Sequence, residues 1–127
     1  MVDKSMLDKK TILNHSTLLL GSFRLNKNIS SAVITWKDDY YLILEKINYP
    51  STPLQLEATS YVKEVVKAIN LIKNKRQREA IILRFIEQGL SQIDIMGIMK
   101  LSETSYHRYK QEGLLEFARL FQNIENS

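Results

Sequence analysis

The basic side chains of this chain are concentrated in one segment, and their chemistry suits phosphate. Between positions 63 and 78 there are six Lys or Arg residues and a single acid, Glu64. From position 84 to position 119 the two signs are balanced, with five residues of each. Because ammonium and guanidinium groups attract polyanions, we expect phosphate binding to centre on the first segment. Its basic residues are Lys63, Lys67, Lys73, Lys75, Arg76 and Arg78.

The residue types and their spacing do not indicate an enzyme. The sequence has no cysteine, which excludes disulfides, cysteine nucleophiles and thiolate metal ligands. Its two histidines, His15 and His107, are far apart, and no carboxylates have the spacing that would complete a metal site. The pair Asp38–Asp39 is interpreted as a surface pair or a turn, and no glycine-rich phosphate loop is present. We therefore expect neither catalysis nor a metal or cofactor.

The spacing of apolar residues between positions 92 and 109 predicts a helix-turn-helix. This motif requires apolar residues inside both helices, another in the turn, and a cap that opens the second helix. Two positions depart from the usual pattern: Met96 stands where a small residue is common, and Lys100 where glycine is common. The positions that fit, in chain order, are Ile95, Met99, Leu101, the cap Ser102, Tyr106 and Tyr109.

A long helix is predicted to precede this motif. Thr52 and Pro53 have the types of an N-cap and a first helical residue, and Gln55 completes a capping-box pattern. We expect the helix to bury its apolar stripe within the subunit rather than at a dimer contact. That stripe consists of Ala58, Val62, Val65, Ile69 and Ile72.

Shorter elements are predicted after this helix. Residues 73–78 are interpreted as a basic loop that leads into a short helix over 79–86, which Gly89 can end in a left-handed conformation. Ser91 then caps the first helix of the motif, with Asp94 three residues later.

The region before position 50 admits two interpretations. Apolar residues recur with helical spacing between positions 33 and 47, but β-branched and aromatic residues there also fit a hairpin around 37–39. We favour a helix because the flanks lack a glycine turn signal, and we expect another helix over 11–20. The predicted fold is therefore all-α, with an N-terminal helical region of unknown role over 1–50, and a long helix plus helix-turn-helix over 54–127.

The composition is that of a globular protein. The 127 residues are 44% hydrophobic and 25% charged, and the net charge is +4. No stretch approaches the roughly 20 apolar residues of a membrane span. The first ten residues, MVDKSMLDKK, lack the apolar region of an export signal. We therefore expect a cytoplasmic protein that contacts no membrane.

The stretch REAIILRFIEQGLSQIDIMGIMKLSETSYHRYKQEGLLEFARLF resembles region four of bacterial sigma factors. It is still more similar to the ArpU/RinA group of phage and phage-related late-gene activators of Gram-positive bacteria. The likeness is carried by the aromatic-rich start of the last helix at 105–110, by LEFA at 115–118, and by YVKEVVKAI at 61–69. It covers residues 54–121 and does not extend to residues 1–50.

This resemblance implies a protein that binds double-stranded DNA near a promoter and helps RNA polymerase to transcribe late phage genes. The last helix would lie in the major groove, where Arg108 would pair with guanine, Gln111 with adenine and Glu103 with cytosine. Glu103 has an alternative role at the helix dipole. The implied base-reading residues are Glu103, Thr104, Ser105, His107, Arg108 and Gln111.

Phosphate contacts would position the protein without specifying sequence. Free backbone amides at the start of the first motif helix would bind one phosphate, and basic side chains would bind others. The implied residues are Ser91, Gln92, Lys100, Lys110, Lys73, Lys75, Arg76 and Arg78. Because one recognition helix buries little surface, we expect a homodimer or a contact with RNA polymerase.

Two other functions stay open. A DNA-packaging protein of the small-terminase kind also carries a helix-turn-helix but assembles into rings. A protein-binding inhibitor that copies a regulator's fold would suit the balanced charge of the last helix.

Overall fold

The computed structural model describes residues 4–126, so the predictions for residues 1–3 and 127 lie outside the described residues. The fold over this range is mostly helical with one small sheet. α4 continues as a π-helical turn, Ile82–Ile86. The bounds are α1 Lys4–Gly21, α2 Phe23–Ser30, β1 Val33–Trp36, β2 Leu42–Lys46, α3 Pro53–Leu71, α4 Lys75–Ile81, α5 Gln92–Met99 and α6 Glu103–Glu125. The helix expected over 11–20 is confirmed as part of α1.

β1 and β2 form an antiparallel hairpin, so the prediction of a helix over 33–47 is wrong, whereas the prediction of a predominantly helical fold is confirmed. Burial alternates along the strands: Ile34 and Leu42 are buried, whereas Val33 and Ile43 are exposed. The connection closes without glycine because Tyr40 adopts the left-handed region at φ 54°. A hairpin therefore forms here without a glycine turn signal.

A large core joins the N-terminal elements to the C-terminal ones. The apolar stripe predicted for α3 is buried within the subunit. Side chains from both sides of position 50 pack against it, including members of the hairpin and of α6. One member of this core from each contributing element is Leu20, Phe23, Ile34, Leu42, Val65, Ile81 and Phe117.

A smaller core lies under α5 and the start of α6. It contains Ala80, Leu83, Ile95, Met99 and Tyr106. Because α4 and its π-helical turn contribute to both cores, residues 78–86 are buried apart from Arg84, as expected for a central helix. The smaller core therefore holds α5 against the start of α6.

Local caps define where α3 begins. The Thr52 hydroxyl accepts a hydrogen bond from the Gln55 amide at 3.1 Å, and Pro53 is the first helical residue, which confirms the predicted start. The Gln55 side chain accepts from the amide of Ser51 at 2.9 Å. This capping box therefore reaches back to the residue before the N-cap.

Most of the basic segment 73–78 is helical, which corrects the prediction of a loop over the whole segment. α4 begins at Lys75 because the Asn74 side chain accepts hydrogen bonds from the amides of Arg76 and Gln77, at 2.9 and 3.1 Å. The helical segment then ends at Ile86, before Gly89, which takes the left-handed φ of 82° in the following turn.

None of the helices within residues 4–126 combines the length and hydropathy of a transmembrane span.

Candidate nucleic-acid interface

α5 begins with a complete capping box. The Ser91 hydroxyl accepts from the Asp94 amide at 3.1 Å, and the Asp94 carboxylate accepts from the Ser91 amide at 2.9 Å. These hydrogen bonds lower the pKa of Asp94. Their contribution to folding stability is therefore present near neutral pH and is lost as the pH falls through that lowered pKa. The Ser91 amide therefore already has an acceptor, whereas Gln92 is exposed, and phosphate contact at these two residues stays a prediction.

A three-residue turn, 100–102, connects α5 to α6. Lys100 adopts φ 56° and ψ 48°, a left-handed conformation that costs a non-glycine residue about 1 kcal/mol. The Leu101 amide donates to the Met96 carbonyl at 3.0 Å, which closes the end of α5. The Ser102 hydroxyl accepts from the Ser105 amide at 3.2 Å and caps α6, as predicted.

The inner positions expected of the motif face the smaller core. Ile95, Met99 and Tyr106 are buried, and Leu101 and Tyr109 are half-buried against them. Their roles in packing were predicted from spacing alone, and burial confirms the inward direction of all five. The side chains on the other side of α6 are therefore the ones available to a ligand.

Arg76 holds the end of α5 through its guanidinium group. Its Nη2 donates to the Met99 carbonyl at 2.6 Å, and its Nη1 pairs with the Glu79 carboxylate at 2.9 Å. The guanidinium carbon also lies 5.8 Å from the centroid of the Tyr109 ring. Because these partners belong to α4, α5 and α6, Arg76 fixes the three helices relative to one another.

Arg78 is buried, with only 3% of its surface exposed, so its predicted phosphate contact is wrong. It donates to the carbonyls of Ile72 and Lys73 at 2.7 and 3.1 Å, at the end of α3. It also donates to the carbonyls of Asp39 and Tyr40 at 2.9 and 3.0 Å, in the hairpin connection. A residue that appeared to be part of a basic surface therefore anchors the hairpin to the helices.

The side chains predicted to read bases lie together on the first three turns of α6. Glu103, Thr104, Arg108 and Gln111 are exposed, whereas Ser105 and His107 are half-buried. Glu103 Oε1 lies 3.7 Å from His107 Nε2, and its carboxylate is placed favourably for the helix dipole. Among these six residues Arg108 is the one arginine and Glu103 the one acid. The surface they form therefore presents both hydrogen-bond donors and acceptors.

The remaining residues that are predicted to contact phosphate differ in how exposed their side chains are. Lys73, Lys75 and Lys100 are exposed, and the bond between Arg76 and Met99 brings the start of α4 beside the end of α5. Lys110 is half-buried with its Nζ 5.5 Å from the Tyr106 ring centroid, and burial together with nearby Arg84 lowers its pKa.

Sequence reasoning missed two features of this surface. Arg84 is exposed beside Lys110 and adds a cation, although its neighbours in the π-helical turn are buried. Ile93 and Ile98 are exposed on α5, and Ile93 is 79% exposed. The period of α5 separates Ile93 from the buried face of Ile95 and Met99. It does not separate Ile98, which follows Ile95 by three residues and is nevertheless exposed. No protein-family model, curated protein or solved structure matches this chain.

Proposed function

We propose that this chain binds double-stranded DNA through α5 and α6 and regulates transcription. In this proposal, α6 inserts its first turns into the major groove, and α5 lies across the backbone. The observation that carries it is the three-residue, capped connection between two helices whose inner faces share one core while polar side chains of α6 stay exposed. A regulator with the resemblance described above would activate late genes of a phage or mobile element near RNA polymerase.

Base recognition falls to the exposed end of α6. Arg108 suits the O6 and N7 acceptors of guanine, and Gln111 suits adenine, because each can form two parallel hydrogen bonds. Lys75 and Lys100 flank the motif and would contact phosphates. The rest of the binding area would come from a second subunit or from RNA polymerase, because a single reading helix buries little surface.

The experiment compares Arg108→Ala with Lys75→Ala on two duplexes, one enriched from a random pool by the wild-type protein and one unselected. Arg108→Ala is expected to weaken binding to the enriched duplex by about 1–3 kcal/mol and to change binding to the other much less. Lys75→Ala is expected to weaken both alike and to reduce the salt slope by about 1. Fluorescence anisotropy at several salt concentrations measures both effects.

Equal losses on both duplexes for Arg108→Ala would remove its base-reading role. Failure of the wild-type protein to bind any duplex at low salt would contradict the DNA-binding proposal as a whole. Since non-specific binding is strongest at low salt, this condition gives DNA binding its best chance of detection.

A second candidate, a protein-binding inhibitor, is favoured by one observation. α5 exposes Ile93 and Ile98, and apolar side chains on the outer face of a helix are typical of protein contacts. If the chain is such an inhibitor, the wild-type protein should bind neither duplex at low salt, and replacing both isoleucines with serine should weaken its binding to RNA polymerase.

A further inference from the structure

A groove lies at the end of α6 that is remote from the proposed DNA-reading turns. Its floor is formed by Leu19 of α1, Tyr61 of α3 and Phe121 of α6, and it encloses about 640 Å³. A second depression of about 340 Å³ continues from it along α1 and α6 and shares Leu19 and Phe121. At about 1.5 Å per residue, Phe121 lies roughly 25 Å along the helix from the first turn of α6. Occupation of this groove would therefore leave the proposed DNA surface open.

The groove is built to hold apolar side chains. Leu54 and Leu56 at the start of α3 are 60% and 57% exposed, and both line it. The floor is fixed, because the Tyr61 hydroxyl donates to the Leu19 carbonyl and so ties α3 to α1. Exposed leucines beside a preformed depression are typical of surfaces that receive the apolar face of a partner helix or segment.

The charge of the groove is opposite to that of the whole chain. Its lining includes Glu57, Glu64 and Glu125, and no Lys or Arg among the described residues that line the main depression. The chain as a whole has a net charge of +4. Three carboxylates around an apolar floor repel a nucleic acid and favour a ligand with basic side chains.

A buried polar group in the wall also lacks a partner. Ser16 of α1 is 1% exposed and lines the second depression. Its hydroxyl makes no hydrogen bond within the part of the chain that the structure describes. Because a buried hydroxyl without a partner is costly, this position suits a ligand that brings a polar group to the wall.

We propose that this groove docks a segment of a partner protein that carries apolar anchors flanked by lysine or arginine. The apolar side chains fill the depression over Leu19, Tyr61 and Phe121. The basic side chains pair with Glu57, Glu64 and Glu125 at the edge. The DNA-reading turns and the docked partner then occupy opposite ends of α6, so one molecule can hold both.

The test uses a displayed library of random 12-residue peptides, selected on the full-length wild-type protein. The peptides enriched on the wild type are expected to have a net positive charge and at least two large apolar residues. The double variant Glu57→Lys/Glu64→Lys should weaken the best peptide by at least tenfold. The matched control Glu45→Lys/Glu112→Lys makes the same change in net charge away from the groove and should change its affinity less than twofold. Circular dichroism of both variants checks that each retains its helices.

Any of four results would overturn the proposal. The enriched peptides could be neutral or acidic, or the two double variants could weaken binding equally. Sedimentation could show a wild-type dimer that only Glu57→Lys/Glu64→Lys separates, which would assign the groove to a second copy. A spin label at Val2→Cys that broadens the amide signals of the groove would assign it to the chain's own N-terminus.

Discussion

Replacing Gly113 with valine is expected to destabilise the protein by about 3 kcal/mol, because α6 passes too close to α4 for a side chain. A Cβ at position 113 would lie 2.9 Å from Ile81 Cγ1 and 3.2 Å from the Gln77 carbonyl oxygen. The carbonyl belongs to the α4 backbone and cannot rotate away, so the helices must separate. Urea unfolding followed by circular dichroism measures the loss.

A glycine of α5 provides the matched control. At Gly97 no atom other than those of its chain neighbours and the surrounding backbone of α5 lies within 4 Å of an added Cβ, so Gly97→Ala meets no obstacle. Because alanine is favoured over glycine in helices, this variant is expected to gain about 0.5–1 kcal/mol. A Gly113→Val variant within about 0.5 kcal/mol of the wild type would show that the contact between α4 and α6 contributes little.

Replacing Arg78 with alanine is expected to lower the free energy of unfolding by about 3 kcal/mol, because four carbonyl oxygens lose their donor. Its guanidinium carbon also lies 3.9 Å from the centroid of the Tyr41 ring, and that contact is lost too. Two of the four carbonyls belong to the hairpin connection. Relative to the wild type, the hydrogen-exchange rates of the β1 and β2 amides should therefore increase more than those of the α3 amides.

Arg108 is the control for this effect, since it is an exposed arginine on α6. Arg108→Ala should change stability by less than about 0.5 kcal/mol. Unchanged hydrogen exchange in the hairpin of the Arg78→Ala protein would contradict the anchoring role. Lysine is not a sufficient replacement at position 78, because its single ammonium cannot reproduce the forked geometry of a guanidinium.

The features that were predicted correctly are those determined by a few neighbouring residues. Thr52 with Pro53, Ser91 with Asp94, and Ser102 each open a helix through hydrogen bonds within three residues. The inner face of the motif also follows from spacing, because a helix repeats every 3.6 residues. Both kinds of signal can be read from the sequence without knowledge of the fold.

The errors concern residues whose roles depend on distant parts of the chain. Arg78 stands in a basic segment of the sequence, but its guanidinium donates to the carbonyls of Asp39 and Tyr40, which are nearly forty residues away. The hairpin connection has no glycine, because Tyr40 supplies the left-handed conformation and packs against both cores. Local patterns carry no information about such contacts.

The sequence predicts which side chains share one end of α6, but not which cations near them are accessible to a ligand. The residues of α6 named as base readers do share one end of the helix, since they lie within three turns. Which cations remain accessible depended on packing, as Arg76 shows by bonding the Met99 carbonyl. The acidic groove cannot be recognised from the sequence, because its residues come from four helices, α1, α2, α3 and α6, which are far apart in the chain.

The most direct measurement is a titration of isotopically labelled full-length protein with the enriched duplex at low salt, followed by amide chemical shifts. If α5 and α6 bind DNA, the amides of residues 91–93 and 100–111 should shift, while those lining the groove of Leu19 and Phe121 should not. Shifts confined to the groove, or no shifts in 100–111 at saturating duplex, would contradict DNA recognition by α6.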